Sequence, residues 1–101
     1  MSANVTEKEF SQHLNSTFQV KFVDGELPLE LVEVKGYPAS PAEQSGMERF
    51  SVFFDGPPDI RLPQATYQLR HPEMVEVDIF LVPVSGDEKG VRYEAVFNYY
   101  K

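Results

Sequence analysis

The sequence predicts a mainly β domain: a six-stranded antiparallel sandwich or partly open barrel with one short N-terminal helix. Three observations carry this expectation. Apolar residues recur at every second position in six separate stretches, turn residues interrupt them at short spacing, and the one helix signature stands before residue 16. Strands alternating with helical stretches, the mark of a βα fold, are absent.

The helix is read from Thr6 and Glu9, the S/T-x-x-E capping box, with Val5 and Phe10 at the staple positions. Phe10 and Leu14, four apart, are expected to share a core-facing stripe, and Asn15 and Ser16 to end the element. From Thr17 the period switches to two. Phe18, Val20 and Phe22 alternate with Gln19 and Lys21, Asp24-Gly25 supplies a turn, and Leu27, Leu29 and Leu31 alternate with Glu26 and Glu30. A two-residue turn would pair Phe22 with Leu27 and put Pro28 at a ladder position that needs an N–H. A four-residue turn would set Lys21 opposite Glu30. Both keep the same residues inside.

Residues 36–46 hold two prolines and no periodicity, which predicts a long surface loop. Phe50, Val52 and Phe54 then alternate with Ser51, Phe53 and Asp55. Phe53 interrupts the polar face, so this strand is expected to be covered on both sides. Residues 56–63 form a second loop, stiffened by three prolines. Tyr67 and Leu69 follow on the next strand, and His71-Pro72-Glu73-Met74 suits a type I turn. Val75, Val77, Ile79 and Leu81 alternate with Glu76 and Asp78. After a loop at residues 85–90, Tyr93, Ala95, Phe97 and Tyr99 alternate with Arg92, Glu94 and Asn98, and these last two stretches are expected to be the strongest strand pair. Phe80, Val82 and Val96 fall on its outer face, where the helix is the expected cover. Pro83 implies a bulge or an exposed edge.

A chain of 101 residues fits one domain spanning 1–101, with no internal repeat or linker. Cysteine is absent, which removes disulfides, thiolate metal sites and a cysteine nucleophile. The first ten residues lack a basic region followed by an apolar one, and the longest apolar run, residues 79–84, is interrupted by Pro83. No secretory signal, no membrane span and, by default, a cytoplasmic setting are therefore expected. Sixteen acidic residues against nine basic ones give a formal charge of −7 without a basic cluster. A nucleic-acid partner is disfavoured, and the acidity reads first as solubility.

Catalytic patterns are missing. His13 and His71 are the only imidazoles, without H-x-H or H-E-x-x-H spacing. His13 is expected to face water or support the last helical carbonyls, and His71 to bind its own turn backbone. Glu76 and Asp78, two apart on a strand, read as one solvated face rather than as an acid and base across a cleft. Asp55 and Asp59 flank Gly-Pro-Pro but lack the D-x-D-x-D-G calcium pattern. No G-x-S-x-G, G-x-G-x-x-G or Walker A element occurs. No enzyme, cofactor or metal is therefore expected.

Four segments together resemble an uncharacterised bacterial domain family of about this length: Phe50-Ser-Val-Phe-Phe-Asp-Gly-Pro-Pro, Leu62-Pro-Gln-Ala-Thr-Tyr-Gln-Leu-Arg-His-Pro, Phe80-Leu-Val-Pro-Val and Tyr93-Glu-Ala-Val-Phe-Asn. The resemblance covers nearly the whole chain and implies a small β domain. The family has no assigned activity. Its loose association with genes for phage-tail-collar-like proteins implies an accessory role in an assembly. The chain departs from the family pattern after the His-Pro turn, where Met74-Val75-Glu76 replaces a usual glycine.

The leading functional expectation is a non-catalytic interaction or structural module that binds a protein partner, or a second copy of itself, through a strand edge. Pro28 and Pro83 mark candidate unpaired edges. Tyr37, Tyr99 and Tyr100 are the candidate contact residues, because tyrosine supplies apolar area at low entropic cost. The alternative is a small-molecule or carbohydrate-binding sandwich with a cleft between the loops at 36–46 and 56–63.

Overall fold

The computed structural model describes residues 6–36 and 47–100. Helix α1 (Glu7–Ser11) precedes strands β1 (Thr17–Phe22), β2 (Gly25–Gly36), β3 (Met47–Gly56), β4 (Ala65–His71), β5 (Met74–Asp87) and β6 (Gly90–Tyr100). Every pairing is antiparallel, and the strands close into a barrel in the order β1-β2-β3-β6-β5-β4. Closure decides for the barrel over the sandwich.

The helix begins as its capping residue dictates, with the Glu9 N–H donating to Thr6 Oγ1 at 3.0 Å. Val5 lies outside the described residues. The helix ends sooner than Asn15, at Ser11. Leu14 therefore sits in the following turns rather than on a helical face with Phe10, and is 43% exposed while Phe10 is fully buried. Asn15 takes a left-handed conformation with φ 70°, which asparagine tolerates. Its N–H donates to the Leu31 carbonyl at 2.7 Å, and the Leu31 N–H donates to the Ser16 carbonyl at 3.0 Å, tying the end of the helical segment to β2.

The first hairpin adopts neither expected register. Its turn is Val23-Asp24, with Phe22 opposite Gly25, Lys21 opposite Glu26 and Gln19 opposite Pro28. The shift is an even number of residues, so the inward set survives: Phe18, Val20, Leu27, Leu29 and Leu31 are buried. The ladder between β2 and β3 extends to Glu30 opposite Asp55, which leaves Pro28 on a stretch with one neighbour, where a missing N–H costs least.

The residues expected to form a loop at 85–90 are instead the tip of a tight hairpin. Asp87 Oδ1 accepts from the Lys89 and Gly90 N–H groups at 2.8 and 3.2 Å, closing the turn with a side chain. Pro83 sits at a register shift between β5 and β6, the bulge its chemistry calls for.

The interior is one cluster that includes Phe50, Val52 and Phe54 of β3, Ile79 and Leu81 of β5, and Tyr93 and Ala95 of β6. Helix α1 contributes Phe10, whose ring packs 5.5 Å from that of Phe97 and 6.0 Å from that of Phe50. Residues 57–64 contribute Leu62, whose N–H donates to the Tyr93 hydroxyl at 2.9 Å. On β3, Ser51 is fully buried and Phe53 half-buried on the outer face, in keeping with a strand covered on both sides.

Candidate functional site

Two places in the barrel wall depart from a continuous ladder, and they are treated differently by their side chains. Between β1 and β4 the pairing is two residues long, Gln19 with Arg70 and Val20 with Leu69. Charged side chains bridge this short seam. Lys21 on β1 reaches past β4 to Glu76 on β5 at 3.1 Å, and Arg70 on β4 reaches past β1 to Glu26 on β2. Phe22 and Tyr67 meet edge-on below them, centroids 6.2 Å apart, where the backbone ladder has ended. The seam is clasped.

The second place lies between β5 and β6. Their ladder runs from Asp87 opposite Gly90 to Val82 opposite Glu94, and among the described residues no further pair joins them. Both strands nevertheless continue. Residues 74–81 pair with β4, residues 95–100 pair with β3, and the two halves face each other without a ladder. This corrects the expectation that they form the strongest pair. The bulge at Pro83 turns β5 toward β4 just where the separation starts.

No clasp spans this second seam among the described residues. Its outer rim carries Phe80, 50% exposed, and Val96, 65% exposed, with exposed Asp78 beside them on β5. The helix was expected to cover Phe80 and Val96. It does not, because its one buried ring points to Phe18, Phe50 and Phe97 on the core side. Along the inner rim Val77 and Phe97 are partly buried against the core. Exposed apolar side chains thus stand on both sides of the interrupted ladder.

Tyr99 and Tyr100 belong to the open stretch of β6, with their backbones opposite Glu48 and Met47 of β3. Tyr37 lies outside the described residues. Of the three tyrosines singled out from sequence, two are thus on the strand that borders the seam.

His13 and His71, fifty-eight positions apart in sequence, lie side by side with ring centroids 4.5 Å apart and planes tilted by 46°. His13 therefore does not face water as expected; its ring packs on His71, with Nδ1 3.6 Å from Glu73 Oε1. His71 is buried, and its Nδ1 accepts the Glu73 N–H at 3.0 Å, the turn-binding role expected of it. Ser16 Oγ lies 3.0 Å from His71 Nε2. This resembles a nucleophile and base but cannot act as one. With Nδ1 occupied as an acceptor, the neutral ring carries its proton on Nε2, which donates to Ser16, and the Ser16 hydroxyl in turn donates to the His13 carbonyl. Burial lowers the His71 pKa from its usual value, and neighbouring His13 lowers it further against the opposing pull of Glu73. The cluster fixes a turn.

Asp55 is held by Arg92 through two hydrogen bonds, Nε to Oδ1 at 2.8 Å and Nη2 to Oδ2 at 3.1 Å, so it is committed to an ion pair rather than to Asp59. That pair raises the Arg92 pKa, hydrogen bonding first and charge second. Glu76 and Asp78 are both exposed, as a solvated face requires. Two surface cavities are lined by described residues. One of about 320 Å³ is lined by Asp55, Ser85, Asp87, Lys89 and Arg92 at the tip of the last hairpin, and one of about 510 Å³ by Gln19, Arg70, Met74 and Glu76 at the clasped seam. Residues 37–46, one side of the expected cleft, lie outside the described residues. No helix among the described residues is long and apolar enough to cross a membrane.

The clasp and the paired histidines were not legible in the sequence, since they join residues at least forty-four positions apart. The outer apolar set was visible; that it borders an interrupted ladder was not.

A family model described as a domain of unknown function, DUF6916, matches residues 5–97. No curated protein and no solved structure matches the chain.

Proposed function

The chain belongs to the DUF6916 family, a domain of unknown function, and from its barrel geometry we propose a non-catalytic interaction module that docks a protein through the strand edges between β5 and β6. One observation carries this reading. The ladder stops at Val82 opposite Glu94 while both strands run on, and the outer rim there bears half-exposed Phe80 and Val96. Edge backbone offers hydrogen-bonding groups to an added strand, and flanking apolar side chains add area to that contact. The contrast with the clasped seam between β1 and β4 supports the choice of location. The association of the resembled family with phage-tail-collar-like genes favours an accessory place in a larger assembly.

A photoreactive phenylalanine analogue at Val96 tests the reading, with the same analogue at exposed Gln64 as control. In native lysate the Val96 probe should form a discrete protein adduct that excess unlabelled chain suppresses. An adduct equal to that of Gln64, together with strictly monomeric light scattering on dilution, would refute it. A melting temperature raised by a small sugar or metabolite in that same protein would favour the ligand-binding alternative.

A further inference from the structure

Resting on that docking reading, we propose that the occupant of the seam is an extended partner segment whose side chains alternate between apolar and cationic. The two faces of the seam specify this pattern. A strand laid beside β5 or β6 would point alternate side chains inward and outward. Inward positions would meet Val77 and Phe97, both partly buried against the core and apolar, so apolar side chains fit there. Outward positions would lie over Phe80 and Val96, beside the carboxylate of Asp78.

Lysine and arginine suit that outer face better than any other residues. Their aliphatic stems cover apolar surface while their heads remain in water and reach carboxylates. Asp78 has no ion-pair partner among the described residues, whereas Glu76 is already bound by Lys21. Glu94 accepts a hydrogen bond from Ser51 Oγ of β3 at 2.9 Å and leans toward that strand, which leaves Asp78 as the carboxylate open to the seam. Arg49, on the neighbouring strand, has an interaction of its own and is not offered to a partner. A second copy of this chain is the poorer occupant, because two molecules of formal charge −7 would bring like charges to the contact.

The test uses the whole isotopically labelled chain and three synthetic peptides: (Val-Lys)4, (Val-Glu)4 and (Ser-Lys)4. At low salt (Val-Lys)4 should saturably shift backbone amides in residues 77–81 and 95–97, weakening as salt rises. The other two should leave these amides in place. Asp78→Lys, at an exposed position without a structural partner, should weaken (Val-Lys)4 binding by on the order of tenfold, and Asp78→Asn by less. Binding of (Val-Glu)4 as tight as that of (Val-Lys)4, or shifts confined to other strands, would overturn the partner chemistry. The two readings fail separately. A Val96 adduct with protein but no (Val-Lys)4 binding rejects the cationic pattern and keeps the docking reading; loss of the adduct rejects docking itself.

Discussion

Replacing Tyr93 with phenylalanine removes one oxygen atom from the middle of the barrel, and the structure sets what that costs. Tyr93 is fully buried, its ring is part of the core, and its hydroxyl accepts the Leu62 N–H at 2.9 Å. The same hydroxyl lies 3.5 Å from the Ile60 carbonyl, a long contact that adds little. Phenylalanine keeps the ring and its packing, so the transfer and cavity contributions stay near zero. What changes is that a buried backbone donor loses its partner, which costs about 1–3 kcal/mol. Leu62 is 5% exposed, so water cannot readily replace the hydroxyl unless residues 57–64 lift from the barrel. For a chain of this length each kcal/mol lowers the melting temperature by roughly 4–8 °C. Calorimetry should therefore show Tyr93→Phe melting several degrees below the wild type, with faster amide exchange at Leu62 and an otherwise preserved spectrum. A variant equal in stability to the wild type, with Leu62 still protected, would show that the loop is not held by this bond.

Other outcomes follow from the same geometry. Ile79→Ala, at a position 1% exposed, should lose about 2–5 kcal/mol in urea unfolding, while Asp78→Ala one residue away should change stability by less than about 0.5 kcal/mol. Reversal of the two would mean that the strand faces are inverted. The clasp of Lys21 with Glu76 joins two side chains more than a third exposed, so a double-mutant cycle should give a coupling of only about 0.2–1 kcal/mol that fades as salt rises. His71 titrates below its usual value in the folded chain, so as pH drops through about 6.5 the unfolded chain takes up a proton that the folded one resists. Its contribution is then fully present above that pH, is lost as pH falls toward the folded value, and levels off below it. His71→Asn, which keeps an acceptor for the Glu73 N–H, should flatten that part of the stability profile; an unchanged profile would remove His71 as its source.

Much of this fold was legible in the alternation of apolar residues. An even register shift in the first hairpin left Phe18, Val20 and Leu29 inside although the turn was placed wrongly, because face depends on parity and not on the pairing partner. The capping box located the helix start, since Thr6 and Glu9 act locally. Its end at Ser11 was less legible, because the turns that follow are tied from outside the segment: Leu31, far along the chain, bonds the backbone of Asn15 and Ser16. The candidate site was half visible. Phe80 and Val96 break the polar pattern of their strands, and Pro83 announces a bulge, but only the closed order of strands shows that the bulge sends β5 to β4 and leaves β6 with β3. Neither composition nor periodicity encodes that choice of neighbour.

The docking surface requires that the ladder between β5 and β6 end at Val82 and Glu94, and cross-strand nuclear Overhauser effects measure this directly. The free chain should show contacts from Phe80 to Thr66 and from Asp78 to Gln68 across β4, and from Val96 to Ser51 and from Asn98 to Arg49 across β3. Backbone contacts between β5 and β6 should stop at Val82 and Glu94. A regular series continuing from that pair, with Phe80 opposite Val96 and Asp78 opposite Asn98, would show a completed wall and contradict the docking surface.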